Sequence, residues 1–257
     1  MKETAMKKIV LLLLALLVLT GCSRREYYED SAPTEAENTY ITELTEQTEP
    51  LLIPETTQPE TVPTLPQTLP TLPQPPQSDD AFVRILDYIP TASQELMYAT
   101  EQNFTGQVIY DFADAYLRWG TVQKLMLVSK DLEELGLYLK IWDGFRPVSA
   151  QFTLWQVYPD PTYVANPNKG YSSHSRGNTI DLTLVDANGK ELEMPTAFDD
   201  FSAKADRDYS DCTPEAANNA RLLEVLMEKH GFTGYRGEWW HFSDTDAYPV
   251  EESFISD

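Results

Sequence analysis

The sequence predicts one domain over residues 81–257 that mixes helices with strands, preceded by a long segment that builds no core. Three observations carry this reading. Apolar residues recur at three- and four-residue spacing in two stretches, they alternate with polar residues in two others, and an Asn188-Gly189 pair follows the second alternating stretch as a hairpin turn would. Upstream of residue 81 these patterns stop.

In chain order, Lys7 and Lys8 precede an unbroken apolar run from Ile9 to Leu19, which ends in Thr20, Gly21 and Cys22. The run is short for a permanent membrane span, and small residues follow it, so residues 1–21 read as a signal peptide. The tetrad Leu19-Thr20-Gly21-Cys22 resembles a bacterial lipobox, which implies that Cys22 is the lipidated first residue of the mature protein. Met6 offers a cleaner basic start than Met1, and both starts stay open. With Cys22 lipidated, Cys212 has no partner in the chain, so an exported domain without a disulfide is expected. Cys212 reads as a packed small residue.

Residues 22–80 are rich in Pro, Thr, Glu and Gln and carry an imperfect Thr-Leu-Pro repeat. Such a stretch buries too little apolar surface to offset its ordering entropy, so it reads as an extended spacer holding the domain off a membrane. Arg24 and Arg25 stand there against twelve Asp and Glu, which makes the spacer the source of nearly half of the formal net charge of −22. This acidity argues against nucleic acid as a partner and against a polybasic membrane patch.

Within the domain, Phe112, Ala115, Tyr116, Trp119, Val122 and Met126, continued by Leu132 and Leu135, predict an amphipathic helix or a helix pair broken near Gly120 and closed by Gly136. Leu137, Leu139 and Ile141 alternate with Tyr138, Lys140 and Trp142 as in a half-buried strand. Asp143-Gly144 then turns the chain, and Pro147 opens a helix running to about Tyr158. Arg146 therefore sits at a strand-to-helix junction. Ile180, Leu182 and Leu184 predict a strand that turns Asp181 to the opposite face, with a short return near Glu191 to Met194. Thr213 caps a helix with Pro214 in its first turn and Ala216, Ala220, Leu223, Leu226 and Met227 on one face. His230 lies in its last turn, better placed for the helix dipole than for a metal. GEWWHF reads as an aromatic strand.

Only three histidines occur; besides His230, His174 shares the stretch KGYSSHSRGNTIDLTL with Asp181, and His241 follows Glu238 by three residues. Two imidazoles and one carboxylate suffice to hold a catalytic zinc with a fourth position left for water. Glu238 is then the candidate base, and Arg146 the candidate stabiliser of a developing oxyanion. A regular strand would send Glu238 and His241 to opposite faces, so this reading requires a bulge or bend between them.

SSHSRGNTIDLTL, EWWH and DGFRP, in this arrangement, closely resemble the zinc D-alanyl-D-alanine dipeptidases of the VanX type. The likeness extends through ATEQNFTGQVIY, MPTAFDDF and NNARLLEVLMEKHGF. It implies an α+β domain whose mainly antiparallel sheet, packed by helices, carries one zinc per chain on His174, Asp181 and His241. It further implies that Glu238 is the catalytic base, that Arg146 stabilises the transition state, and that Ser172 and Asp199 hold the dipeptide, Asp199 at its α-ammonium group. Tyr163 matches a family tyrosine in a Tyr-Val-Ala segment, at a longer spacing from His174. Enzymes of this type are associated with the cytoplasm, whereas a lipid anchor and a stalk place this one at the extracytoplasmic face of the cell membrane. The expected substrates are therefore D-Ala-D-Ala, related D,D-dipeptides or short peptidoglycan-derived peptides. Two rival readings stay open: a D,D-carboxypeptidase trimming stem peptides, and a zinc-containing wall-binding module without turnover.

Overall fold

In the computed structural model, residues 72–254 are described, so the signal segment, Cys22 and most of the spacer lie outside the described residues. The elements in chain order are β1 (Phe82–Arg84), α1 (Ile85–Tyr88), β2 (Ser93–Gln94), β3 (Tyr116–Arg118), α2 (Trp119–Glu134), β4 (Leu137–Asp143), α3 (Val148–Val157), β5 (Thr179–Asp186), α4 (Pro214–Lys229), β6 (Phe232–Gly234) and β7 (His241–Asp244). β1 and β3 form a small antiparallel pair. The main sheet has the order β2-β4-β5-β7-β6, and only β2–β4 is parallel. This is the expected α+β arrangement with a mainly antiparallel sheet.

Directly opposed residues in a sheet share a face. Leu139 with Leu184, Ile141 with Leu182 and Ile180 with Phe242 pair on one face, and all six side chains are fully buried. Each contributes roughly 1.5–3 kcal/mol by burial. Helix α2 covers that face: Thr121 Oγ1 donates at 2.8 Å to Asp244 Oδ2, two residues along β7 from Phe242. On the other face Asp181 stands opposite both Asp143 and His241. A register shift between Ile141 and Asp143 makes this possible, because a regular ladder would set Trp142 against Asp181 instead.

The domain also engages residues before 81. Gln74 O accepts from Tyr88 Oη at 3.2 Å, Asp80 O from Arg118 Nη1 at 2.6 Å, and Asp79 O from Gly120 N at 3.1 Å.

Four local expectations need correction. The helix expected from Phe112 begins only at Trp119; Tyr116 and Leu117 belong to β3, and Phe112 and Tyr116 face Phe254 at 6.0 and 5.1 Å. Pro147 is the cap residue of α3 and lies before its first turn. The return strand at 191–194 is reduced to one bridge between Val185 and Glu191. Its chain is drawn instead to the start of α4, where Glu193 O accepts from Asn219 at 2.9 Å and Glu193 Oε1 from Thr213 at 2.6 Å. Finally, GEWWHF is a strand only from His241 onward, because residues 235–240 form a turn.

Candidate active site

His174 lies in a single 3₁₀ turn, Ser173–Arg176, that leads into β5. Ser172 caps the turn, its Oγ accepting from His174 N at 3.3 Å, and Gly177 closes it at φ 72°. A Cβ at Gly177 would lie 2.4 Å from the Phe82 ring, so the turn sits hard against β1. His174 Nδ1 is 2.7 Å from Gly144 O. A carbonyl only accepts, so Nδ1 carries the proton and Nε2 presents its lone pair to the centre. Gly144 must approach closely to do this: a Cβ there would meet Tyr116 O at 2.9 Å.

The turn at residues 235–240 supplies the bend that the sequence requires, and it brings Glu238 to the face of His241. His241 Nδ1 is 3.0 Å from Asp181 Oδ1, 3.4 Å from His174 Nε2 and 3.4 Å from Glu238 Oε2. His174 Nε2 is 3.4 Å from Asp181 Oδ2. Ligand atoms of His174, Asp181 and His241 thus all lie within 4.8 Å of one another. Asp181 Oδ1 is buried without a hydrogen-bond donor, and two imidazole nitrogens face each other beside it. Ligand atoms converging on one point, one of them a buried carboxylate oxygen short of a partner, are what a cation needs, and the two-imidazole, one-carboxylate set suits zinc. Burial alone would raise the Asp181 carboxyl, but His174 and His241 outweigh it and hold the group low.

Glu238 is different. Burial pushes its carboxyl up to about 7; His241 opposes this, while Asp181 and Asp199 add to it. A carboxyl poised near neutrality can take a proton and return it.

Arg146 is buried and fixed on several sides. Its Nε and Nη2 donate to Asp143 Oδ2 at 3.0 and 2.6 Å, Nη1 donates to Gln151 Oε1 at 3.0 Å, and its guanidinium lies 5.0 Å over the Tyr98 ring. Burial would lower its pKa, yet Asp143 and the nearby tyrosines raise it overall, so it stays a cation. A guanidinium has five N–H donors; with three engaged, one each on Nη1 and Nη2 is free for a ligand. Asp143 in turn accepts from Tyr110 Oη at 2.7 Å and from Gly144 N at 2.9 Å.

A cavity of about 270 Å³ opens on this centre. It is lined by all three candidate ligands, by Glu238 and Arg146, and also by Ser172, Asp199 and Tyr163. Asp199 sits at φ 55° and accepts from Tyr98 Oη at 2.8 Å. Burial lifts its carboxyl to about 7, the Tyr98 hydrogen bond opposing and Asp181 adding to the rise. Tyr163 stacks on Phe201 at 4.8 Å as part of the aromatic wall. His230 is not part of the lining; at the end of α4 its Nε2 is 2.6 Å from Asp131. Cys212 is a free thiol, 3.6 Å from Tyr209 O.

Sequence reasoning missed Tyr98 and Gln151, and it took Asp143 for a mere turn residue. DGFRP held the signal for Asp143, since an acid three residues before a buried arginine is its natural counter-ion. Tyr98 gave none, being far away in the chain from every motif it serves.

Taken together, three side chains that could hold a metal ion, a carboxyl raised to about 7 and a fixed guanidinium lining one cavity are the parts expected of a metal-dependent hydrolase. A family model described as D-Ala-D-Ala dipeptidase, peptidase family M15, matches residues 79–256, and the chain belongs to that family. It is 39% identical over 163 residues to a D-alanyl-D-alanine dipeptidase of Escherichia coli strain K12, covering 63% of this chain and 84% of that one. It is 32% identical over 192 residues to a D-alanyl-D-alanine dipeptidase of Enterococcus faecalis, covering 66% and 95%. The crystal structure of the vancomycin resistance D,D-dipeptidase VanXYg, in complex with a D-Ala-D-Ala phosphinate analogue, aligns over 51% of each chain with a TM-score of 0.34 and 19% identity. Residues 6–23 match the prokaryotic membrane lipoprotein lipid attachment site, which marks the protein as membrane-associated through a lipid.

Proposed function

We propose that this protein is a zinc D-alanyl-D-alanine dipeptidase acting at the cell envelope, with Cys22 as its lipid anchor and the catalytic domain held on the extracytoplasmic side. The observation that carries the reading is the convergence of His174, Asp181, His241, Glu238, Arg146 and Asp199 on one cavity. Membership of the dipeptidase family supports it. The domain limits we propose are 1–21 for the signal peptide, 22–80 for the anchor and spacer, and 81–257 for the enzyme, with residues 74–80 as the seam.

His174, Asp181 and His241 would hold one zinc. When bound there, zinc supplies a water of lowered pKa and polarises a carbonyl. Glu238 takes the proton of the attacking water and delivers it to the leaving amine, which its near-neutral carboxyl suits. The two free N–H groups of Arg146 meet the negative charge that gathers on the scissile carbonyl oxygen. Ser172 holds the substrate beside His174, and Tyr163 walls the cavity.

Asp199 decides the substrate class. A buried carboxylate in the cavity welcomes a free α-ammonium group and leaves an acylated nitrogen unable to satisfy it. This favours a free dipeptide over a stem peptide. Because the folded carboxyl titrates above its unfolded value, the stability linked to it is fully present in acid and falls as pH rises through about 7. An ammonium partner reverses that loss. The KM for D-Ala-D-Ala should therefore drop as pH rises from 6 to 8, and Asp199→Asn should raise KM by about 10-fold or more, a charge-assisted bond being worth roughly 1.5–3 kcal/mol, and flatten its pH dependence. Steady-state kinetics across that range checks this, with N-acetyl-D-Ala-D-Ala as comparator. If the wild type prefers the acetylated substrate, Asp199 does not read an amine.

A further inference from the structure

Arg207 lies outside the cavity, yet its side chain is nearly buried and its donors converge on one target. Nε donates to Tyr235 O at 2.8 Å, and Nη2 donates to Trp239 O at 3.0 Å and to His241 O at 2.9 Å. All three acceptors belong to the turn that carries Glu238 and ends at His241. The backbone beside Arg207 joins in: Arg207 N donates to Arg236 O at 3.2 Å, and Ala205 O accepts from Trp239 N at 2.9 Å.

Tyr235 N donates to His241 O at 3.0 Å and closes the turn at its base, but the bonds inside it are long. Glu238 N reaches Tyr235 O at 3.3 Å and His241 N reaches Glu238 O at 3.4 Å, both at the long end for a hydrogen bond, whereas the Arg207 bonds are at optimal length. Carbonyls turned inward need donors, and beyond the β6–β7 ladder Arg207 supplies them to Tyr235 O and Trp239 O and adds a second to His241 O. A planar guanidinium can serve three carbonyls from one fixed plane, which an ammonium cannot do. Its own charge is offset by Glu224 Oε1 at 3.5 Å from Nη1 and by the Phe242 ring 4.3 Å below. Phe242 points to the opposite face of the sheet from His241, so Arg207 grips the turn from behind the site. Space for the grip is left by Gly234, where a Cβ would lie 2.3 Å from the guanidinium carbon.

We infer that Arg207 is a positioning residue: it sets the shape of the 235–241 turn and through it the distance between Glu238 and His241, and hence metal affinity and proton transfer. The inference rests on the reading of Glu238 as base and His241 as ligand. Two variants test it in the full-length, metal-loaded protein. Arg207→Lys keeps the cation but not the fork; Gly234→Ala keeps the arginine and pushes its guanidinium off the turn. Each is compared with wild type for zinc affinity by chelator competition, for kcat and KM on D-Ala-D-Ala, and for thermal midpoint. Both variants are expected to bind zinc 10- to 100-fold more weakly, as loss of a group orienting a ligand does. With zinc saturating, kcat should fall at least 10-fold while KM stays within threefold. Glu224→Gln, which leaves the three carbonyl bonds intact, should stay within threefold of wild type in zinc affinity, kcat and KM. If both variants keep wild-type zinc affinity and kcat, or if kcat falls only in step with the unfolded fraction, the inference is overturned. A wild type that binds zinc but cleaves nothing refutes the functional reading instead, and the zinc affinities of the variants still judge Arg207.

Discussion

Replacing Glu238 by Gln should leave zinc bound and nearly abolish hydrolysis, lowering kcat by roughly 10²–10⁴-fold, the range that a positioned acid–base group contributes. Gln preserves the volume of a side chain that is almost wholly buried, so packing around Trp239 and Trp240 is retained. What is lost is the titrating group. Glu238 is not among the three proposed ligands, and its Oε2 is 3.4 Å from His241 Nδ1. Metal content should accordingly stay near one zinc per chain while turnover collapses. Equal activity in the variant would remove Glu238 from the chemistry; joint loss of zinc and activity would make it a ligand.

Removing the metal should have the second large effect, on stability as well as activity. Without a cation, the described centre leaves Asp181 Oδ1 buried without a donor and turns two imidazole nitrogens toward each other. A ligand that binds only the folded state stabilises it by about 4 kcal/mol at 1,000 times its Kd. For a domain of this size each kcal/mol moves the midpoint by about 2–4 °C, so chelation should lower Tm by roughly 8–16 °C, and zinc should restore it. His241→Ala should lose that chelator-sensitive shift along with activity. A thermal midpoint indifferent to chelator and to added zinc would mean that these residues hold no metal.

The ligands were legible in the sequence because histidine is rare in this chain and two of its three copies fall in the SSHSRGNTIDLTL and EWWH motifs, the third closing a helix. Asp181 could be placed from alternation alone, since Ile180, Leu182 and Leu184 fix the face it avoids. The support behind them could not. Asp143 reaches the site only because the ladder shifts register after Ile141, and a bulge leaves no periodic mark in the sequence. Phe112 and Tyr116 follow helical spacing, yet they pack on Phe254 from outside any helix, so tertiary contacts overrode the pattern. For Glu238 and His241 the strand period showed that a bend was needed, but not which residues would make it. Trp239 and Trp240 are consecutive and both buried, as a turn set into the core allows. Arg207 stands in an acidic loop outside every motif, and nothing in the sequence marks it.

The measurement that bears most directly on the whole account is release of free D-Ala by the zinc-loaded protein, offered D-Ala-D-Ala and a pentapeptide ending in D-Ala-D-Ala in parallel. The account predicts cleavage of the free dipeptide, with the pentapeptide cut far more slowly because its acylated nitrogen leaves Asp199 unpaired. Preferential cleavage of the pentapeptide would contradict it and make the protein a carboxypeptidase trimming wall stems.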